Sequence, residues 1–328
     1  MKHRILLSAL CALLFAQPMA FARGKTDQPA PSPVRISALA GPSSIPLAWL
    51  FDVPPILEGT PCIFEVAAGP DLLLPRLVKG DVDVGVLPVN VAARAYIAGN
   101  GVVVLAAVIG EGMLSLVTAD PSVSSLADLR GKVVNVAGQG ATPEYVFRYL
   151  LRTAGIHADV RRPDAVQLDF SLPTAELAPA LLAGKIGYAV LPEPFATVVT
   201  ANTAFRRAVD LQSLFAAAQS TPGAQYPMTA LVVRADFAAE RPDTVRLFLA
   251  ALEDAVARTV ARNDETGSLA AKHGLGIPAA LAAASIPRSA FVYRSAADAR
   301  PGVERFLGIV KENGGADENL PDSGFYFR

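Results

Sequence analysis

The stretch "PALLAGKIGYAVLPEPFA" (179–196) has a near-copy 104 positions upstream, "PRLVKGDVDVGVLPVNVA" (75–92). Seven of the eighteen aligned positions are identical. They mark a helix end closed by glycine, a short apolar strand, and a Leu-Pro that opens a loop. A second pair repeats in the same order: "AGPSSIP" (40–46) aligns with "AGQGATP" (137–143) at an offset of 97. Each of these follows a strand-like run and precedes a helical pattern. The two matches predict two similar halves, each built as strand, glycine-containing loop, helix, strand, helix, strand and proline loop.

Working outward, apolar β-branched runs alternate with helical patterns. Strands are expected at 34–40, 62–68, 82–88 and 102–109, then at 132–138, 166–172, 186–192 and 207–211. Most are apolar on both faces, as buried parallel strands are. "PEYVFRYLLRTAG" reads as a helix with Pro143 at its first position and Gly155 just past its end. The class is therefore α/β, two Rossmann-like lobes with helices on both faces of each sheet. "EGMLSLVTAD" (111–120) leaves the first half and "QYPMTALVVRAD" (225–236) returns from the second, a two-strand hinge. Helices at about 242–262 and 303–311 are expected to pack on the first lobe.

The ends and the bulk composition bound the setting. Lys2, His3 and Arg4 precede an apolar stretch that closes at Ala20-Phe21-Ala22, as an export signal does. Gln17 and Pro18 break that run too early for a membrane span. Leu10 before Cys11 argues against a lipid anchor there. The expected organisation is 1–22 signal peptide, 23–33 flexible leader, 34–114 lobe one, 115–228 lobe two, and 229–328 a return to lobe one with C-terminal helices. The chain carries a net charge of −1, or −3 without Lys2 and Arg4, and has no dense basic run, so nucleic acid is a poor partner. Beyond the signal only Cys62 remains, which excludes an intrachain disulfide and reads as a small buried hydrophobe. With His157 and His273 the only other histidines and no nucleophile elbow, neither a metal site, a cofactor nor a catalytic constellation is expected.

Ligands of open parallel sheets bind beyond the carboxyl ends of the strands. The loops of both lobes should face one cleft, and the candidates are Ser43, Ser44, Asn90, Gly140, Thr142, Glu176, Glu193 and Phe195, with Met113, Ser115 and Tyr226 from the hinge. Glycines let a backbone approach closely, while Ser43, Ser44 and Thr142 either cap helices or donate to a ligand. These loops contain Asp71, Glu144, Glu176 and Glu193 but no Lys or Arg. A neutral or cationic ligand is therefore expected rather than an anion. Glu193 either accepts from an amino or ring N–H, with Phe195, Tyr226 or Tyr145 as an aromatic wall, or caps the following helix.

"SLADLRGKVVNVAGQGATPEY", "ELAPALLAGKIGYAVLPEPFA", "GDVDVGVLPVNVAA" and the closing "LPDSGFYFR" resemble the nitrate/taurine/sulfonate-type substrate-binding proteins of ABC importers, a group that also binds thiamine-pyrimidine precursors. The resemblance implies a type II periplasmic binding protein, a monomer closing over a small ligand and delivering it to a membrane permease and its ATPase. The ligand implied extends to a thiamine-pyrimidine-like heterocycle. The same fold also hosts enzymes of cofactor biosynthesis, and it serves sensor receptors, so both remain alternatives. The synthase among these enzymes is cysteine-rich and the dehydratase cytoplasmic, unlike this chain.

Overall fold

In a computed structural model of the chain, the described residues are 32–159, 162–219, 224–313 and 320–328. The expected signal peptide and most of the leader fall on 1–31, outside them.

The first half lays down β1 (Val34–Leu39), α1 (Ala48–Asp52), the short β2 (Ile56–Leu57), β3 (Thr60–Ala67), α2 (Pro70–Lys79), β4 (Val84–Pro88), α3 (Val89–Ala98) and β5 (Val103–Glu111). The chain then crosses into β6 (Leu114–Thr118), β7 (Val133–Val136), α4 (Thr142–Thr153), β8 (Gln167–Asp169), α5 (Thr174–Leu182), β9 (Tyr188–Pro192), α6 (Phe195–Thr200), β10 (Arg206–Asp210) and α7 (Leu211–Ala218). It returns through β11 (Pro227–Arg234), α8 (Ala235–Glu240), α9 (Pro242–Ala261), α10 (Asn263–Lys272), α11 (Ala279–Ser285), β12 (Phe291–Ser295) and α12 (Ala296–Glu312).

Two sheets result, ordered β12-β5-β11-β4-β1-β3-β2 and β10-β6-β9-β7-β8. Their central five strands correspond one to one: β5-β11-β4-β1-β3 matches β10-β6-β9-β7-β8. In each, the three strands of the repeated unit run parallel, β4-β1-β3 and β9-β7-β8. The strand beside them is antiparallel and arrives from the other lobe: β6 enters the second sheet directly after β5, and β11 enters the first directly after the second lobe. The repeated stretch is thus the helix–strand–loop–helix unit α2-β4-α3 in one lobe and α5-β9-α6 in the other.

Burial explains the apolar runs. All residues of β6 are buried, as are the first four of β4 and the last four of β9, because helices cover both faces. In the first lobe, Phe248, Leu249 and Leu252 of α9 pack on one face with Val34, Ile36 and Val84. Val303, Phe306 and Val310 of α12 pack on the other with Val89, Ala92 and Leu105. That second cluster continues into the other lobe through Leu114, Val146, Phe147 and Phe215, so the two sheets share one apolar seam on the α4–α12 side.

Candidate functional site

The hinge is built by two consecutive residues in the left-handed region. Gly112 has φ 61° and Met113 φ 67°, and they turn the chain from β5 into β6. The Gly112 N–H donates to the carbonyl of Tyr226, the residue before the returning strand β11, at 3.0 Å. The Met113 carbonyl accepts from the Glu193 N–H at the same distance, tying the hinge to the second proline loop.

Above the hinge the lobes are closed on each other. Asn90, first turn of α3, donates its Nδ2 to the Gly140 carbonyl across the gap at 2.7 Å. Gly140, at φ 70°, presents that carbonyl because the β7–α4 turn passes through the left-handed region there. On another side α11 packs against α6. Between these contacts lies a cavity of about 140 Å³ lined by Leu39, Pro42, Ser43, Pro88, Met113, Ala141, Thr142, Pro143, Pro192, Met228 and Thr229. It sits at the carboxyl ends of β1, β4 and β9 and in the loop after β7, where an open α/β sheet binds its ligand. No lining residue is ionisable; the polar groups are the hydroxyls of Ser43, Thr142 and Thr229. Thr142 is 1% exposed and Asn90 2%. Thr142 Oγ1 and Asn90 Oδ1 have no hydrogen-bond partner among the described residues.

A second, larger recess of about 330 Å³ flanks the hinge, lined by Met113, Leu114, Ser115, Glu193, Arg207, Asp210, Gln212, Gln225, Arg288 and Ala290. Unlike the interlobe cavity it is charged on both signs. We take the interlobe cavity as the candidate site, since loops from both lobes converge on it.

Of the expected residues, Ser43, Met113 and Thr142 line the interlobe cavity, with Asn90 and Gly140 joined beside it. Ser115 and Glu193 line the hinge recess instead. Ser44 is buried, and its hydroxyl donates to the Gly41 carbonyl at 2.8 Å. Glu176 is exposed in the first turn of α5, and Phe195 packs partly buried with Leu177, Leu181 and Ala196.

Two expectations need correction. Glu193 was a candidate to accept a ligand N–H, but both its oxygens are held by protein donors. Oε2 accepts from the Thr197 N–H at 3.0 Å and hydroxyl at 2.7 Å, and Oε1 from Arg207 Nε and Nη2 at 3.1 and 2.6 Å. It is the helix-capping alternative that the geometry realises. Tyr226 forms no aromatic wall. It is 0% exposed, edge-on to Phe215, and its hydroxyl accepts from the Leu114 N–H. Burial pushes that phenol well above its ordinary value. The loops themselves carry no Lys or Arg, as expected, but basic residues reach them from neighbouring elements: Arg207 from β10, and Arg94, whose Nη2 approaches the Gly140 carbonyl at 3.5 Å, from α3.

Leu39, Met228 and Thr229 were not singled out from sequence. Thr229 stands inside the apolar run "PMTALVV", and the one available signal was a polar residue at a strand start. Among the described residues no three His, Cys, Asp or Glu side chains could hold a metal ion. No helix among them is long and apolar enough to cross a membrane.

The comparisons with known proteins agree with this architecture. A crystal structure of an ABC transporter from Parabacteroides distasonis superposes with a TM-score of 0.73 at 28% identity, covering 90% of this chain and 98% of that one. The periplasmic aliphatic sulphonate binding protein SsuA of Escherichia coli superposes at 0.69 with 18% identity, over 90% and 92% of the two chains. The periplasmic nitrate-binding protein NrtA of Synechocystis superposes at 0.61 with 15% identity, over 89% and 83%. A search of curated proteins found no match. The fold is that of type II periplasmic binding proteins, and residues 76–273 match the NMT1-like family. The chain belongs to the NMT1-like family.

Proposed function

We propose that this chain is the extracytoplasmic substrate-binding component of an ABC importer, capturing a small neutral or cationic organic molecule between its lobes. The observation that carries this reading is the interlobe cavity at the carboxyl ends of strands from both sheets, with a two-strand hinge beneath it. Family membership and the ABC-transporter neighbour support the transport setting. In this proposal residues 1–22 direct export and are removed, and 34–114 with 229–328 form one lobe. Residues 115–228 form the other. The closed monomer presents both lobes to a permease driven by its ATPase and does no chemistry on its cargo. A nitrogen heterocycle of the thiamine-pyrimidine kind is among the ligands to try, alongside the sulfonates and nitrate named for the neighbours.

Thermal-shift screening of the mature chain against heterocycles, amides, amines, sulfonates and nitrate tests the proposal. A ligand that binds only the folded state raises stability by about 2.7 kcal/mol at a hundredfold excess over its dissociation constant. One class should raise the melting temperature with no product formed. Consumption of the hit by the isolated protein would establish the enzyme alternative instead.

A further inference from the structure

We infer that the ligand of the interlobe cavity is an uncharged, compact molecule, apolar over most of its surface and carrying one carboxamide-like polar group. The inference rests on the receptor reading above and narrows its ligand class.

The first observation is charge. The cavity wall is proline, methionine, leucine and alanine, interrupted by three hydroxyls, and contains no ionisable side chain. An ion moved from water into such a wall without a partner loses several kcal/mol of solvation. The two carboxylates closest in the chain to these loops are already paired. Glu193 is bound by Arg207, and Glu144 accepts from the Gly140 N–H at 2.7 Å and from Arg148 Nε at 2.8 Å. That second pairing bears on anions. A helix start with free N–H groups can hold an anion, yet the turn entering α4 already holds the carboxylate of Glu144. A cation fares no better, since neither a carboxylate nor an aromatic face lines the cavity.

The second observation is a pair of buried polar atoms without partners. Thr142 Oγ1, on the cavity wall, can donate to a ligand carbonyl. Asn90 Oδ1, whose amide bridges to Gly140 beside that wall, can accept an N–H. A primary or secondary carboxamide supplies both groups without charge. Leaving either atom unmatched in a closed site has a cost that a ligand can remove. The third observation is size. At about 140 Å³ the cavity compares with the engineered protein cavity of about 150 Å³ that admits benzene.

A matched set of probes of nearly equal shape isolates charge: benzamide, benzoate, benzylammonium and benzenesulfonate, titrated calorimetrically into the mature chain. Benzamide is expected to bind at least tenfold more tightly than any of the three ions. Thr142→Val, which keeps the shape and removes the hydroxyl, should weaken benzamide at least fivefold while leaving the unliganded melting temperature unchanged or raised. Tighter binding of an ion overturns the inference and leaves the receptor reading standing. Benzoate winning with its affinity abolished by Arg288→Gln would place the ligand in the hinge recess, again overturning it. Binding by none of the four, or unchanged benzamide affinity in Thr142→Val, also overturns it. The wider screen above then decides the receptor reading on its own.

Discussion

Arg207 and Glu193 form a pair that sequence reading could half see. Glu193 stood out because its loop is where the repeat diverges, Val89-Asn90 in one copy and Glu193-Pro194-Phe195 in the other. Its partner did not, because Arg207 comes from an edge strand whose position follows only from the sheet order. The Glu193 side chain is 2% exposed and that of Arg207 24%. Replacing Arg207 with methionine would leave a buried carboxylate held only by the Thr197 N–H and hydroxyl. With water reaching part of the pair, the expected loss is about 2–3 kcal/mol. Urea unfolding of Arg207→Met should show it, while affinity for the interlobe ligand changes little. Unchanged stability would mean that the pair does not hold the second proline loop. Cys62 teaches the same point from the other side: expected to be a buried hydrophobe, it is buried, and desolvation pushes its thiol up to about 11.

Among elements, the repeat was the most legible feature. Six of its seven identities fall on the helix end, strand and Leu-Pro, which any copy of this unit needs in order to pack, whereas the three positions after Leu-Pro all differ. The hinge strands were legible because two extended apolar runs bracket the second half. The pair α10–α11 was not, since "NDETGSLAAK" and "AALAAAS" offer alanine where an apolar stripe would be read. Yet α11 closes the cleft against α6. The turn at Gly112 was equally silent. A Cβ added there would stand 2.8 Å from Gln212 Oε1, at a φ that L-residues avoid. Gly112→Ala should therefore cost at least about 1 kcal/mol in denaturant unfolding. A variant as stable as the parent would show that the hinge does not depend on this conformation.

Over the whole molecule, acid should loosen the fold. Asp120 is held well below the carboxylate range by hydrogen bonds from the Ser122 hydroxyl, then from Tyr188 and the Ser122 N–H. Asp128 is lowered by the Ser124 N–H and by Ser125, and Asp322 by the Tyr96 hydroxyl. A carboxylate whose folded value is depressed contributes stability that is present above the unfolded value, about 3.9, and is lost as pH falls through the folded one. The urea midpoint should therefore fall between pH 5 and pH 3, and fall less in Asp120→Asn. A midpoint that holds or rises over that interval would contradict the assignment. The long-range bonds behind these shifts, Tyr188 to Asp120 and Tyr96 to Asp322, join residues far apart in sequence and could not be read from it.

The fold and the cleft's location followed from pattern, whereas the uncharged wall of the cavity emerged only once distant loops were brought together. A crystal structure of the mature chain with the tightest compound from the ligand screen bears most directly on the receptor reading. The ligand should lie between Ser43, Thr142 and Thr229, touching both lobes, chemically intact and at one copy per chain. Density for it in the hinge recess or on an outer face, or a converted product in its place, would contradict the account.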